Sequence, residues 1–295
     1  MTTAPLEFEA ARAARRARHG KAVEWILRHP TVAVGSAILV AMVLVAILAP
    51  ALGTIDPKAI APIKRLKFPQ ADFWFGTDPL GRDVYSRVIY GSRVSLIVGF
   101  SVAVLAAGMG LVIGLVTGFN RVADAFVMRV MDGLMSIPPV LLAIALMSLT
   151  RASMGNVIFA ITVSQVPQVS RLVRGVVLSL REQPFVEAAT AAGTGFFKTL
   201  WRHILPNTIA PILVQGTYIC ASAMITEATL SFIGAGTPPD IPSWGNIMAE
   251  GRSLFQIAYY IVLFPAVFLS VTVLAINLLG DGLRDALDPR LARRM

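Results

Sequence analysis

Few side chains in this 295-residue sequence are of a type and spacing that could catalyse a reaction. The three histidines, His19, His29 and His203, are far apart, and none lies four residues from another as a helical metal pair requires. The single cysteine, Cys220, lies in an apolar stretch, and no Gly-x-Ser-x-Gly nucleophile motif is present. The sequence also lacks the Gly-Lys-Ser or Gly-Lys-Thr end of a loop that cradles ATP phosphates. We therefore predict no enzyme activity, no bound metal and no cofactor in this chain.

The most distinctive pattern of charge and shape lies in residues 187–206, between two long apolar stretches. Glu187 and a run of alanines predict a short helix with little side-chain bulk, Gly193 predicts a turn, and Pro206 predicts the end of a second helix. A slim, charged helical hairpin could enter a groove of another protein. The alternative is a basic amphipathic helix that lies on lipid headgroups. A protein that only had to span lipid would need neither.

Composition indicates which elements position this hairpin. The sequence is 56% hydrophobic and 15% charged, with a mean hydropathy of +0.70, and its apolar residues form runs of about 20. We therefore predict an all-α membrane protein. The net charge of +9 does not indicate nucleic-acid binding, because Lys and Arg flank the apolar runs instead of forming one basic stripe. The six predicted transmembrane helices are 31–50, 94–118, 133–150, 154–170, 209–231 and 257–279.

The distribution of basic residues predicts the topology. Six Lys or Arg lie in residues 1–30 and five lie between Arg171 and Arg202, which places both regions in the cytoplasm by the positive-inside rule. An even number of spans then puts both termini in the cytoplasm. The predicted parts are a cytoplasmic arm (1–30), a first helix (31–50), an extracytoplasmic segment (51–92), a core (93–280) and a cytoplasmic tail (281–295).

Two groups of polar residues within apolar runs are candidates for a transport pathway. Ser164, Gln165 and Gln168 lie beside Pro167, which should bend the fourth helix, and they either line a pathway or make structural hydrogen bonds. Glu227 is the only carboxylate inside an apolar run. It could belong to an outer gate or contact a charged substrate, or it could bond to a neighbouring loop near the helix end.

Glycines at four-residue intervals in the second helix predict close helix packing. Gly110, Gly114 and Gly118 form a stripe without side chains, against which another helix could pack closely.

The hairpin resembles the coupling motif of type I ABC importer permeases, which reads Glu-Ala-Ala, three residues, Gly, and then Ile-x-Leu-Pro after nine more. His203 occupies the position of the first Ile, and the run Arg-His-Ile-Leu-Pro-Asn at 202–207 resembles the dipeptide, oligopeptide and nickel branch. Three further stretches are similar to that branch: FGTDPLGRDVYSRVIYGSRVSL at 75–96, ATLSFIGAGTPPDIPSWGN at 228–246 and LLGDGLRDALDPRL at 278–291.

This resemblance implies a MetI-like bundle of six transmembrane helices in the bacterial inner membrane. It implies a heterodimer with a second, related permease, two ATPase subunits that hold ATP and Mg, an extracytoplasmic solute-binding protein, and surrounding lipid. The implied cargo is a di- or oligopeptide, with nickel, glutathione or opine-like solutes as alternatives. The residues implied for ATPase coupling are Glu187, Ala188, Ala189, Gly193, Lys198, Arg202, His203, Ile204, Leu205 and Pro206.

The outer loop before the last helix is a candidate for docking of the solute-binding protein. Its glycines and prolines indicate a loop of defined shape. The candidate docking residues are Gly234, Gly236, Pro238 and Trp244.

Two other classes of protein remain as alternatives. A secondary transporter driven by an ion gradient would need inverted repeats and carboxylates at the membrane centre, and neither is evident. A membrane scaffold without a transport path would explain the missing catalytic groups but not the coupling motif.

Overall fold

A computed structural model describes residues 30–287 of the chain. The expected cytoplasmic arm before residue 30 and most of the expected tail lie outside the described residues. The regular structure of residues 30–287 is helical, with two isolated β-bridges in the segment between the first two long helices. The helices are α1 (Pro30–Ile47), α2 (Val84–Phe119), α3 (Arg121–Met135), α4 (Pro139–Ser148), α5 (Met154–Arg181), α6 (Pro184–Ala191), α7 (Phe196–Thr199), α8 (Leu205–Phe232), α9 (Trp244–Gly251) and α10 (Tyr260–Leu287).

The all-α fold is confirmed, whereas the count of six spans is matched only in part. Four described helices are long and apolar enough to cross a bilayer: α1, α2, α7 joined to α8, and α10. The pair α3 and α4 could form a fifth span, but the two helices are bent by 92°. The helix α5 is long enough, yet polar residues on its buried face make it less apolar than a lipid-facing helix.

The third predicted span, 133–150, is wrong in its boundaries. Two helices occupy this region, and α3 begins earlier, at Arg121, where the Asn120 side chain accepts hydrogen bonds from two backbone amides. The chain turns at Pro138, whose backbone is extended, and Pro139 then lies in the first turn of α4. Proline is tolerated there because the first amides of a helix have no partner within it.

Several helices extend beyond their predicted ends. The helix α2 begins at Val84 and not near residue 94, since the Asp83 carboxylate accepts a 2.8 Å hydrogen bond from the amide of Ser86. Similarly, α5 continues past residue 170 to Arg181. Hydropathy underestimates these helices because their ends carry charged side chains.

The core is built around the packing of α2 against α5. At Gly110, Gly114 and Gly118 an added Cβ atom would lie only 2.4 to 2.5 Å from atoms of Val169, Val173 and Val177. These three valines occur every four residues along α5. The glycine stripe therefore packs as predicted, with the backbone of α2 directly against branched side chains of α5.

The segment between α1 and α2 folds over the N-terminal end of α2. Its backbone makes short turns, including a 3₁₀ turn at Pro62–Lys64. Side-chain bonds tie it to α2: the amide of Ile55 donates to Ser86, and the Tyr85 hydroxyl donates to the carbonyl of Leu52. This segment is thus a folded part of the protein.

Candidate coupling, pathway and docking sites

The candidate coupling hairpin consists of α6, a turn at residues 192–195, and α7. The amide of Gly193 donates to the carbonyl of Thr190, and the amide of Thr194 donates to the carbonyl of Ala189. This pair of bonds is the Schellman motif, which ends a helix with a residue of positive φ. Gly193 has φ +78°, a conformation that side-chain-bearing residues rarely adopt. The predicted turn is therefore present where the glycine places it.

Gly193 is not required because a larger side chain would be too big for the turn. A Cβ atom at Gly193 would have no neighbour within 4 Å. Within the described residues, the backbone conformation at position 193, and not a lack of space, therefore favours glycine there.

The predicted helix end at Pro206 is wrong. The chain from Phe196 to Phe232 is one continuous helix, with a π turn at Leu200–Ile204. In this turn the amide of Leu205 donates to the carbonyl of Leu200, five residues earlier. The wider turn accommodates Pro206, which lies in the first turn of α8 and would otherwise clash with a preceding carbonyl. As a result, α7 is joined directly to a membrane-crossing helix.

The hairpin presents a mixed polar and aromatic surface. Glu187, Ala188, Lys198, Arg202 and Pro206 are exposed, whereas Ala189, His203 and Leu205 are half-buried. Ile204 is fully buried, so in this conformation it anchors the hairpin and does not face a partner.

Exposed aromatic residues, which were not predicted from the sequence, form part of this surface. Phe197 is 81% exposed and Trp201 is 74% exposed, four residues apart on one face of the helix. The neighbouring Phe196 instead packs edge-on against Phe119, at the end of α2, with ring centroids 4.9 Å apart. Large aromatic side chains in a charged, exposed hairpin were the signal that could have identified them.

Ion pairs connect the same end of the bundle. The guanidinium group of Arg174 on α5 bonds to Asp124 on α3, with one contact of 2.7 Å, and Arg171 bonds to Asp132 at 2.5 Å. Arg181 donates a 2.7 Å bond to the carbonyl of Gly118 at the end of α2. The end of α5 that precedes the hairpin is therefore joined to α2 and α3.

The candidate pathway residues lie in two different parts of the structure. Ser164, Gln165 and Gln168 line a cavity of about 150 Å³, together with the bend between α3 and α4 and with Tyr218 and Ser222 of α8. Gln165 is buried and lies 3.5 Å from the Ser222 hydroxyl, while Gln168 is exposed. A cavity lined in part by polar side chains, beside the bend between α3 and α4, can hold water or part of a solute.

Glu227 lies elsewhere, near the C-terminal end of α8. Its side chain is fully buried, and its Oε1 atom accepts hydrogen bonds from Ser231 at 2.8 Å and from Thr237 at 3.4 Å. Its Oε2 atom has no partner among the described residues. This geometry agrees with the alternative of a residue near the helix end bonded to the neighbouring loop.

The candidate docking loop contains both exposed and buried members. Gly234 is exposed with φ +85°, and Pro238 is half-buried. Gly236 is buried, since a Cβ atom there would lie 2.2 Å from the Ser231 hydroxyl. Trp244 is fully buried, and its indole nitrogen donates a 3.0 Å bond to the carbonyl of Val88. Trp244 therefore fixes the loop on α2 and, in this conformation, is not available to a partner.

No group of three or more His, Cys, Asp or Glu side chains within residues 30–287 is arranged to hold a metal ion. The thiol of Cys220 is buried in that range and forms no disulfide.

Comparisons with known proteins agree with this geometry. Residues 110–293 match the family of binding-protein-dependent transport system inner membrane components. The chain is 56% identical over 267 residues to the probable peptide ABC transporter permease protein y4tQ of Sinorhizobium fredii, covering 90% of this chain and 91% of that protein. It is 41% identical to the dipeptide transport system permease protein DppC of Alkalihalophilus pseudofirmus, covering 88% of this chain and 85% of that protein.

The fold also has a solved counterpart. A chain of the MetNI methionine ABC transporter, in an inward-facing conformation, superposes with a TM-score of 0.51 at 20% identity. The alignment covers 70% of this chain and 94% of the MetNI chain. At this identity the likeness concerns the fold. The family match and the two permease relatives show that the chain belongs to the binding-protein-dependent transport system inner membrane components, the membrane-spanning permeases of ABC transporters.

Proposed function

We propose that this chain is the permease subunit of an ATP-driven importer of di- or oligopeptides, and that residues 187–206 couple it to ATPase subunits. The observation that carries the proposal is an exposed helical hairpin joined without interruption to a membrane-crossing helix. Relatives that are similar over about nine-tenths of the chain are named as peptide permeases, which supports peptides as cargo.

In this proposal the chain itself holds no nucleotide. Two partner ATPases bind ATP and Mg, and a second related permease completes the pathway. When the ATPases close, they displace α6 and α7, and the continuous helix from Phe196 transmits this displacement across the membrane. A binding protein delivers peptide to the outer loop near Gly234 and Pro238, and the cavity beside Gln165 and Gln168 forms part of the route.

The proposed orientation places the hairpin and both termini in the cytoplasm and the segment 51–92 outside. Cys220 is buried, so single cysteines introduced at exposed positions can be labelled against a low background. We expect Lys58→Cys to react with an impermeant maleimide added outside intact cells. Lys198→Cys should react only after the membrane is opened, and the reverse pattern would contradict the orientation.

The coupling role is tested in proteoliposomes that contain the complete transporter. Glu187 is exposed in the first turn of α6, where its charge favours the positive end of the helix. We expect Glu187→Lys to lower ATP-dependent uptake of a labelled dipeptide about tenfold, the loss expected when an interface contact worth more than 1 kcal/mol is removed. The matched control is Glu182→Lys, an exposed acidic residue just before the hairpin, which should stay within about twofold of wild type.

Two results would overturn the proposal. Uptake by the wild-type chain without ATPase subunits would exclude an ATP-driven importer and favour a secondary transporter. ATP-dependent uptake of nickel or glutathione, with no uptake of peptides, would exclude peptides as cargo while leaving the coupling role intact.

A further inference from the structure

Four charged side chains meet at the outer end of α2, and no role described above uses them. They are Asp78 and Arg82 from the segment before α2, Arg87 in its first turns, and Glu250 on α9. The side chains of Asp78 and Arg87 are 0% and 1% exposed, that of Arg82 is 9% exposed, and that of Glu250 is 24% exposed. We call these four residues the outer charge cluster, and its formal charge is zero.

The contacts within the outer charge cluster are short and reciprocal. The Asp78 carboxylate accepts one 2.6 Å bond from Arg82 and another from Arg87. The Glu250 carboxylate accepts a 2.6 Å bond from Arg82 and two bonds from Arg87, one of them at 3.0 Å. Each arginine therefore bridges the two carboxylates.

These contacts join parts of the chain that are far apart in sequence. Glu250 lies 163 residues after Arg87. It is the one member of the outer charge cluster that belongs to α9, whereas the other three belong to α2 and the segment before it. Two nearby bonds connect the same parts of the chain. The Tyr260 hydroxyl on α10 donates to the carbonyl of Thr77, and the Trp244 indole on α9 donates to the carbonyl of Val88 on α2. An exposed ion pair between Lys58 and Asp240, at 3.1 Å, links the outer edges of the segment and the loop.

The energetics of buried charges indicate what the outer charge cluster does. A buried ion pair adds little net stability compared with apolar side chains of similar size, whereas removing one partner is costly. The cluster is therefore poorly explained as a general source of stability. Because each arginine contacts both carboxylates, the cluster ties α9 to α2 and to the preceding segment.

We propose that Glu250 is a positioning residue that fixes α9, and with it the outer loop, to α2 and the segment 52–83. The outer surface then moves with α2 as one body. A binding protein that contacts the loop displaces a membrane-crossing helix directly. This inference rests on the proposed function in one respect, namely that the loop receives a binding protein.

The first test measures hydrogen exchange of the purified full-length chain in nanodiscs. Glu250→Gln leaves two arginines with one carboxylate, so we expect amides in residues 54–83 and 244–258 to exchange at least about tenfold faster than in wild type. Lys58→Gln is the matched control, because it breaks an exposed ion pair between the same two parts, and it should change exchange less than about twofold. Equal exchange in Glu250→Gln and wild type would overturn the inference.

A double variant separates positioning from loss of stability. Arg82→Gln combined with Glu250→Gln leaves the neutral pair of Arg87 and Asp78 and no buried excess charge. We expect this variant to recover the melting temperature lost in Glu250→Gln, while amides of 244–258 still exchange faster than in wild type. The double variant also replaces Glu250→Gln in the hydrogen-exchange test if the single variant cannot be purified in folded form. Wild-type exchange in the double variant would show that the outer charge cluster does not position α9.

The second test uses the complete transporter and varies the concentration of binding protein. We expect the double variant to need about fivefold more binding protein for half-maximal peptide uptake, with co-purification of the ATPases unchanged. An unchanged half-maximal concentration would overturn the positioning role. If instead the wild-type transporter shows no uptake that depends on the binding protein, the proposed function fails, and the hydrogen-exchange result still decides whether Glu250 positions α9.

Discussion

Replacing Gly114 by alanine tests the packing on which the bundle depends. An added Cβ atom would lie 2.5 Å from the Cβ atom of Val173 and 2.8 Å from the backbone carbonyl oxygen of Ser170. Carbon atoms in ordinary contact are about 3.5 to 4.0 Å apart, so α2 and α5 would have to separate by about 1 Å. One of the two neighbours is backbone, so a change of rotamer cannot relieve the overlap. Overpacking of this kind costs about 1 to 3 kcal/mol.

The matched control is Gly108→Ala in the same helix. A Cβ atom at Gly108 has no neighbour within 4 Å, so alanine there should stabilise the helix by up to about 1 kcal/mol. We therefore expect the two variants to differ by about 1 to 4 kcal/mol. At about 2 to 4 °C per kcal/mol, this corresponds to roughly 2 to 16 °C in melting temperature.

The assay is thermal unfolding of the purified chain in detergent, followed by circular dichroism. The expected order of melting temperature is Gly108→Ala, wild type, Gly114→Ala. If Gly114→Ala melts at or above the temperature of Gly108→Ala, close contact between α2 and α5 is not what requires glycine, and the packing argument is wrong.

Three further predictions concern the hairpin and the outer loop. Gly193→Val should reduce ATP-dependent uptake, whereas Gly193→Asn should retain most of it. A φ of +78° costs a β-branched residue about 1 to 2 kcal/mol, and it costs asparagine less. Equal uptake by the two variants would contradict this reasoning. Phe197→Ser should weaken co-purification of the ATPases at least about tenfold, while Phe126→Ser, an equally exposed site on α3, should not; similar losses in both would exclude a specific aromatic contact. Trp244→Phe should lower stability by about 1 to 3 kcal/mol, because it removes a buried hydrogen bond and leaves a gap where part of the indole packed. Trp74→Phe replaces a side chain that is 60% exposed and should be near neutral in the same melting assay.

Several features of the protein are predictable from local sequence. The membrane-spanning class follows from long apolar runs, and the turn at Gly193 follows from one residue that tolerates positive φ. The glycine stripe of α2 also predicted a close helix contact, although the sequence did not say that α5 provides it. These features depend on interactions within a few turns of helix, so the residues involved are adjacent in the sequence.

Other features depend on residues that become neighbours only in the folded chain. The continuous helix through Pro206 requires a π turn that local propensity does not indicate, because proline usually ends a helix. Burial of Trp244 is decided by a carbonyl on α2, 156 residues away, and reverses its expected exposure.

The outer charge cluster illustrates the same limit. In the sequence, Arg87 and Glu250 are two charged residues separated by 163 positions, and composition assigns them to a solvated surface. The sequence alone determined that this chain is a helical membrane protein with a projecting hairpin, since hydropathy and backbone preference are local properties. The tertiary structure alone decided which charges are buried together and which helices pack together, because those outcomes depend on contacts between distant parts of the chain.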